Sequence, residues 1–462
     1  MAAPAVNHGH RLKGPVSHQA EHLADVDELA ALHFDPWLTC KGEALRQLAD
    51  EVFEGLPFPS PMRRKAPRVD VTNRRRRCVH GILANVVSMM LSPASHDALA
   101  TPLRNPTASR TRYEYSGYSI QVLAATIKAM RVVGYLVVIK GAQHRHRTRI
   151  LPTRTLSEML AVARVGLEDV GREAGEETII LRLKRPERPS QPQDEQAEEL
   201  DADDDKSEPD ALRFIDYTDT PETLKLRQQM ETINDALNQL ADVRFDGKPI
   251  LPIHLVRFFT AMDVEPPHGF DLHGRLYRGG FWLTLSEKKR HLITINGEQV
   301  ADLDYSSMFF RLAYIKQGVT PPEGDLYAIE GLEAYRPAVK QLVASLFSKS
   351  GDVQRMPRKV RKLMPPEWTM PRFVEAMTAK HPAIAPLFGA GMWFKFAHTE
   401  STIMVDILLR LTAMGIPALP MHDGLMVGMS YKAEAARIMR EVSRSHLGVE
   451  LPVSEKQLIV PT

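Results

Sequence analysis

Ile120, Leu123, Ile127 and Met130 recur at spacings of three and four, which predicts a helix with one apolar face. Gly134 follows where a helix C-terminal cap belongs. Residues 135–140 then read as a strand, 141–147 as a basic hairpin loop, and 148–151 as a return strand ended by Pro152. Upstream, 79–91 is apolar enough for a buried helix. Helix-like patterns occupy 18–32 and 43–53, separated by the Pro-containing segment 34–38. Residues 92–115 are rich in turn formers, and 158–171 predicts another helix. Residues 186–210 hold Pro, Gln, Asp and Glu with almost no aliphatic residue, the pattern of a disordered spacer. Beyond it, aromatic and aliphatic segments alternate with short polar motifs.

A length of 462 residues fits roughly two to four domains. Apolar residues at 44% and charged residues at 25% describe ordinary globular material. Two cysteines, Cys40 and Cys78, exclude a disulfide scaffold and a cysteine-based zinc cluster. No apolar run approaches the roughly 20 residues of a membrane span, and the first residues lack a secretory apolar stretch. The expectation is a cytoplasmic, nucleic-acid-associated protein with no membrane partner.

The net charge of +2 conceals an uneven distribution. Residues 63–77 carry eight Arg/Lys against one acid, Asp70; residues 140–149 form a second basic cluster; residues 194–210 are overwhelmingly acidic. A basic front and an acidic joint point to a nucleic-acid partner for the front. The helix, glycine, strand, basic loop and strand of 119–153 resemble a winged helix-turn-helix module, whose helix would enter a major groove while Arg145, Arg147 and Arg149 reach phosphates. His144 and His146 read as surface of that wing.

Three motifs stand in order in the second half: Asp271-Leu-His-Gly-Arg-Leu-Tyr277, Val300-Ala-Asp-Leu-Asp304-Tyr-Ser-Ser-Met-Phe-Phe-Arg311, and Ile416-Pro-Ala-Leu-Pro-Met-His422-Asp423-Gly-Leu-Met-Val427. The last two place a carboxylate at the end of an apolar segment that reads as a buried strand, or in the turn after it. Such a carboxylate requires a partner or a cation. Two of them on adjacent strands would share divalent ions, as in-line nucleotidyl transfer requires. Between them Arg336 and Lys340 lie one helical turn apart and share a face, a pair of cations suited to a triphosphate.

The stretch from Asp271 to Val427 resembles the palm and fingers of the family A polymerases, the DNA polymerase I type and its phage-type single-subunit RNA polymerase relatives. The resemblance covers residues 225–462, and motif order is its most specific feature. It implies that Asp304 and Asp423 are catalytic metal ligands, with the backbone carbonyl of Tyr305, for two Mg2+ ions or Mn2+ in their place. It implies that Arg336 and Lys340 hold the incoming phosphates, with Phe309 and Phe347 also at the nucleotide. Arg275, Tyr277, Arg311 and His422 would contact primer or template. Five residues after Asp304, Phe309 replaces the Glu whose bulk excludes ribose in the DNA enzymes, and an aromatic ring there predicts deoxynucleotide preference. The pattern departs from the family after Lys340, where Phe347 and Ser348 stand in place of the usual aromatic and Tyr-Gly. Gly424 also replaces an acidic residue. No Asp-x-Glu exonuclease signature is present, so proofreading is not expected. Glu400, ahead of the apolar segment 403–411, could contact the primer, with a solvated helix-start carboxylate an equally strong reading. Asp325-Leu-Tyr327 resembles a segment that follows the Asp304 motif in the family, with an ordinary turn the favoured reading; Trp282 and Trp393 read as core.

The expected fold class is α+β and mostly helical: a winged helix-turn-helix region, then a right-hand polymerase core with a palm sheet, helical fingers and a reduced thumb. The expected domains are a helical and basic arm (1–77), a winged-helix-like domain (78–185), an acidic linker (186–212) and the polymerase core (213–462). The expected activity is template-directed nucleotidyl transfer from nucleoside triphosphates on DNA by a DNA polymerase. A small phage-type RNA polymerase or primase, and a DNA-binding initiator or regulator with an inactive palm, are the alternatives.

Overall fold

The computed structural model describes residues 30–58, 69–92, 96–101, 103, 111–140, 147–184, 214–263 and 265–459. They form a mixed α/β protein of two compact units: residues 1–176 with 243–252, and residues 177–242 with 253–462. Among the described residues no helix is long and apolar enough to cross a membrane.

The first unit contains β1 (Ala31–His33), β2 (Leu38–Cys40), α1 (Glu43–Glu54), α2 (Val69–Leu91), β3 (Ala98–Thr101), α3 (Ile120–Val132), β4 (Leu136–Ile139), β5 (Thr148–Pro152), α4 (Arg154–Val162) and β6 (Val170–Arg172). One sheet runs β1-β3-β5-β4, with β1 parallel to β3 and the other pairs antiparallel; β2 pairs β6. Ile82, Leu83 and Val86 of α2 are fully buried against Leu45 and Val52 of α1 and Leu123, Ile127 and Met130 of α3. Each such side chain contributes about 1.5–3 kcal/mol. Ser119 caps α3 by accepting from the Val122 amide at 3.4 Å. Gly134 ends it with φ +83°, a left-handed conformation that costs glycine no Cβ clash.

Several expectations change here. The basic run expected in a disordered arm supplies, from Val69, the first turns of α2, so a boundary at 77/78 would fall inside a helix. Of the expected 18–32 helix, residues 31 and 32 belong to β1, residue 30 is in no helix, and 18–29 lie outside the described residues. The turn-rich segment contains β3, buried at all four positions. The helix expected over 158–171 starts earlier, at Arg154 behind the Thr153 cap, and has ended before β6. The loop 141–146, with His144, Arg145 and His146, and the acidic linker lie outside the described residues. Arg149 is buried, 8% exposed, within β5 and opposite Ile139 and Ala100, so it is not a surface cation of a wing. Arg147 is part-exposed at the start of the same strand region, 3.5 Å from His33.

The second unit begins with β7 (Ile179–Leu183) and α5 (Pro221–Leu240); a hairpin of β8 (Val243–Phe245) and β9 (Lys248–Pro249) belongs to the first unit. The chain then returns through β10 (Val256–Ala261), β11 (His273–Tyr277), β12 (Ile293–Ile295), β13 (Glu298–Tyr305), α6 (Met308–Lys316), α7 (Arg336–Ser348), α8 (Arg358–Arg361), α9 (Met370–Lys380), α10 (Trp393–Ala413), β14 (Ala418–Met421), β15 (Gly424–Gly428), α11 (Lys432–Leu447) and β16 (Val453–Lys456). One sheet has the order β11-β10-β7, and α10 packs across β11. In the other, β13 is central: it pairs antiparallel with β15, which carries β14, and on its other side with β12 and β16. Val300, Ala301 and Leu303 of β13 are all buried, as a strand covered on both faces requires.

Candidate active site

Asp304 lies at the C-terminal end of β13, and Asp423 lies in the two-residue turn joining β14 to β15. The register pairs Asp304 with Gly424, the residue after Asp423, and the Tyr305 amide donates to the Asp423 carbonyl at 3.1 Å. Two carboxylates 119 positions apart in sequence thus become neighbours across one strand pair. His422 adopts φ +52° to make the tight turn. Gly424 is required by close approach: a Cβ there would stand 2.5 Å from the Leu303 carbonyl oxygen and 3.2 Å from Asp304 Oδ1. An acidic side chain at that position is therefore sterically excluded.

Burial, and then the neighbouring Asp423 carboxylate, raise the carboxyl of Asp304 to about 7, while Lys456 opposes the shift. Asp423 is raised as well, by burial and by the charge of Glu400. Lys456 Nζ lies 2.8 Å from Asp304 Oδ2, and Asp304 Oδ1 is a buried acceptor with no hydrogen-bond partner. Two carboxyls that discourage each other's ionisation, one with an orphaned buried oxygen, fit a divalent cation. Among the described residues no cluster of three or more His, Cys, Asp and Glu side chains suits a metal, so any ion would rely on this pair, the adjoining Tyr305 carbonyl and oxygens from outside the chain.

Arg336 opens α7, with Lys340 one turn on. The Arg336 guanidinium donates twice to Asp325, at 2.7 and 3.1 Å. Arg336 and Lys340 also lie 5.4 and 5.6 Å from the ring centroid of Tyr327. The Tyr327 hydroxyl is raised by burial and by the charges of Asp423 and Asp304, and Arg336 opposes that rise. Tyr327 thus stands within electrostatic reach of both the cations and the carboxylates. Asp325 additionally accepts from the Tyr327 amide at 3.1 Å, and its carbonyl accepts from the Ala328 amide at 3.2 Å, so it closes the expected turn while also pairing with Arg336.

Arg275 of β11 donates from Nε and Nη2 to Glu400 of α10, at 2.7 and 3.0 Å. Glu400 is only 2% exposed and sits inside a 21-residue helix, which overturns its reading as a solvated helix-start carboxylate. The Arg275 guanidinium also lies 5.0 Å from the Trp393 ring and 5.5 Å from the Phe309 ring. Trp393 is part-exposed beside this pair and is not core, whereas Trp282 is fully buried and donates to the Pro420 carbonyl at 2.9 Å. Phe309 is part-exposed between buried Met308 and Phe310, and its ring meets Phe396 at 5.8 Å. Phe347 is fully buried against Phe310, Phe388 and Phe396 and offers no face to a nucleotide base, contrary to expectation. Arg311 Nε donates to the Ser306 carbonyl at 2.8 Å. Tyr277 lies 5.5 Å from His422 and stacks on His273, whose Nδ1 is 2.6 Å from the Phe258 carbonyl oxygen.

The sequence reading left Lys456 out of the site altogether and held Glu400 and Asp325-Leu-Tyr327 there only as alternatives to a solvated carboxylate and an ordinary turn. Only Glu400 had a clear signal, because it lies on the stripe Phe396, Ala397, Glu400, Ile403, Met404 and Ile407 at spacings of three and four, where a charge must be paired. Lys456 reaches the site through pairing of the last strand, which no local pattern reveals.

No family model matches the chain, and no curated protein matches it. A solved structure, the POL domain of Pol1 from M. smegmatis in complex with DNA primer-template and dNTP, is similar over 51% of this chain and 50% of that one, with 13% identity and a TM-score of 0.29. The two therefore share about half of each other's length, and a likeness of this size carries no argument about activity.

Proposed function

We propose that the second unit is a metal-dependent, template-directed nucleotidyltransferase, a DNA-directed DNA polymerase without proofreading, and that the first unit binds DNA. The observation that carries this reading is the pairing of β13 with β15, which brings Asp304 and Asp423 together with an orphaned carboxylate oxygen between strand and turn. Divalent ions held by Asp304, Asp423 and the Tyr305 carbonyl would supply Lewis-acid stabilisation of the attacking 3′-oxygen and the departing pyrophosphate. Arg336 and Lys340 bind the triphosphate, and Asp325 orients the Arg336 fork until phosphate oxygens compete for it. Glu400 fixes Arg275, and Arg275 with Trp393 supports the ring of Phe309, whose bulk disfavours a ribose 2′-hydroxyl. His422, Tyr277 and Arg311 border the primer and template side.

In the first unit, α3 followed by the β4–β5 hairpin, with β3 added beside β5, supports a winged-helix reading in which α3 enters the major groove and Arg147 meets phosphate. The test is extension of a labelled primer, with deoxynucleotides and ribonucleotides in separate tubes and an unprimed template alongside. Template-dependent deoxynucleotide addition by the wild type, lost in Asp304→Asn, is the expected result. Ribonucleotide addition on the unprimed template would assign the site to RNA synthesis, and no addition in any tube would remove the polymerase reading.

A further inference from the structure

The cation nearest the carboxylate pair is the chain's own Lys456. Strand β16 fixes its backbone: Asp302 is opposite Lys456, and Asp304 is opposite Ser454, which also meets Ser306 at 3.1 Å between hydroxyls. Asp302, which the register would offer to Lys456, is held by Arg290 at 2.9 Å, and both are buried. The ammonium instead reaches diagonally to Asp304 Oδ2 at 2.8 Å and leaves Oδ1 open. With its side chain 42% exposed, Lys456 has a path for its ammonium into water.

We propose that Lys456 is a tethered counter-cation that competes with divalent ions for Asp304 and thereby lowers the metal affinity of the site. This inference rests on the reading of Asp304 and Asp423 as metal ligands. With both carboxyls ionised, an approaching ion meets two negative charges already offset by one ammonium, so the attraction is that of a net single negative charge. It must also displace Nζ from Oδ2 to use both oxygens of Asp304. Removing the ammonium therefore strengthens ion binding even though a favourable ion pair is lost. Arginine at 456 preserves the charge and the competition.

The experiment is binding of Mn2+ to the full chain at one fixed pH and ionic strength, without nucleic acid or nucleotide, read from the loss of the free-ion signal in electron paramagnetic resonance. Lys456→Met and Lys456→Gln are expected to bind Mn2+ about tenfold more tightly, the scale of removing one unit charge from a solvated site. Lys456→Arg is expected to match the wild type, and Asp423→Asn to lose the site. Thermal unfolding of each variant confirms that it is folded. If Asp423→Asn loses Mn2+ while both neutral variants at 456 bind it no more tightly than wild type, the competition is overturned and the metal site stands. If Asp423→Asn binds Mn2+ as the wild type does, the reading of the pair as metal ligands is itself overturned.

Discussion

Arg275 and Glu400 form a two-pronged ion pair, 2.7 and 3.0 Å, with the carboxylate 2% exposed and the arginine side chain 12% exposed. It joins β11 to the middle of α10. Removing one member of such a buried pair leaves the other charge uncompensated. Arg275→Met and Glu400→Leu are each expected to destabilise the chain by about 3–5 kcal/mol, and the double variant by much less than the sum. Urea unfolding at pH 7 checks this; additive losses would show that the two groups act independently.

Asp304→Asn and Asp423→Asn keep the size of each side chain and remove its charge. Each is expected to lower primer extension by about a thousandfold or more, as loss of roughly 4 kcal/mol of metal-based stabilisation implies. Duplex binding should stay near the wild-type level, because neither carboxylate is assigned to DNA. Extension rates and filter binding on the same preparations measure the two effects separately.

The carboxyl of Asp304, raised to about 7, holds its proton more tightly in the folded chain than at its ordinary value of 3.8. Its contribution to stability is therefore complete below about pH 4 and is lost as pH rises through 7. In EDTA, the melting temperature of Asp304→Asn relative to wild type should rise from pH 5 to pH 8, since the variant carries no charge to bury. A pH-independent difference would place the carboxyl in an ordinary solvated setting.

Phe309→Ala removes the ring that lies against Phe396 and beside Arg275 and Trp393. The ratio of kcat/KM for deoxynucleotides over ribonucleotides is expected to fall by about tenfold to a hundredfold, in keeping with a 1–3 kcal/mol discrimination by bulk in an apolar pocket. Single-nucleotide incorporation kinetics measure the ratio, and an unchanged ratio would remove Phe309 from sugar selection.

Arg147 and Arg149 are two residues apart but have different surroundings, the first part-exposed and the second buried in β5. Arg147→Gln is expected to reduce the slope of log affinity for DNA against log salt by about 0.9, the loss of one phosphate contact. Arg149→Gln should leave that slope unchanged and instead lower the melting temperature. Fluorescence anisotropy over a salt series distinguishes them.

The sequence alone determined what is locally encoded. The three-and-four spacing of Leu123, Ile127 and Met130, the glycine after the helix and the proline after the return strand suffice for α3, β4 and β5, because periodicity and capping act over a few residues. It also determined that Asp304 and Asp423 are strand-end carboxylates in need of a partner, and that Arg336 and Lys340 share a helical face. Tertiary structure alone decided the rest. Pairing of β16 with β13 brings Lys456 from the last strand to Asp304, and α10 packing on β11 brings Glu400 under Arg275. It buried Phe347 and Arg149, which the resemblances had set at the nucleotide and at a DNA phosphate, and left Trp393 part-exposed where the sequence reading placed it in the core. It also joined β7, which precedes the acidic linker, to β10 beyond it, so a cut at that linker would remove a strand from the second unit. The physical reason is common to all of these: strand pairing and helix docking are satisfied between residues distant in sequence, and which face of an element is covered depends on the partner that arrives.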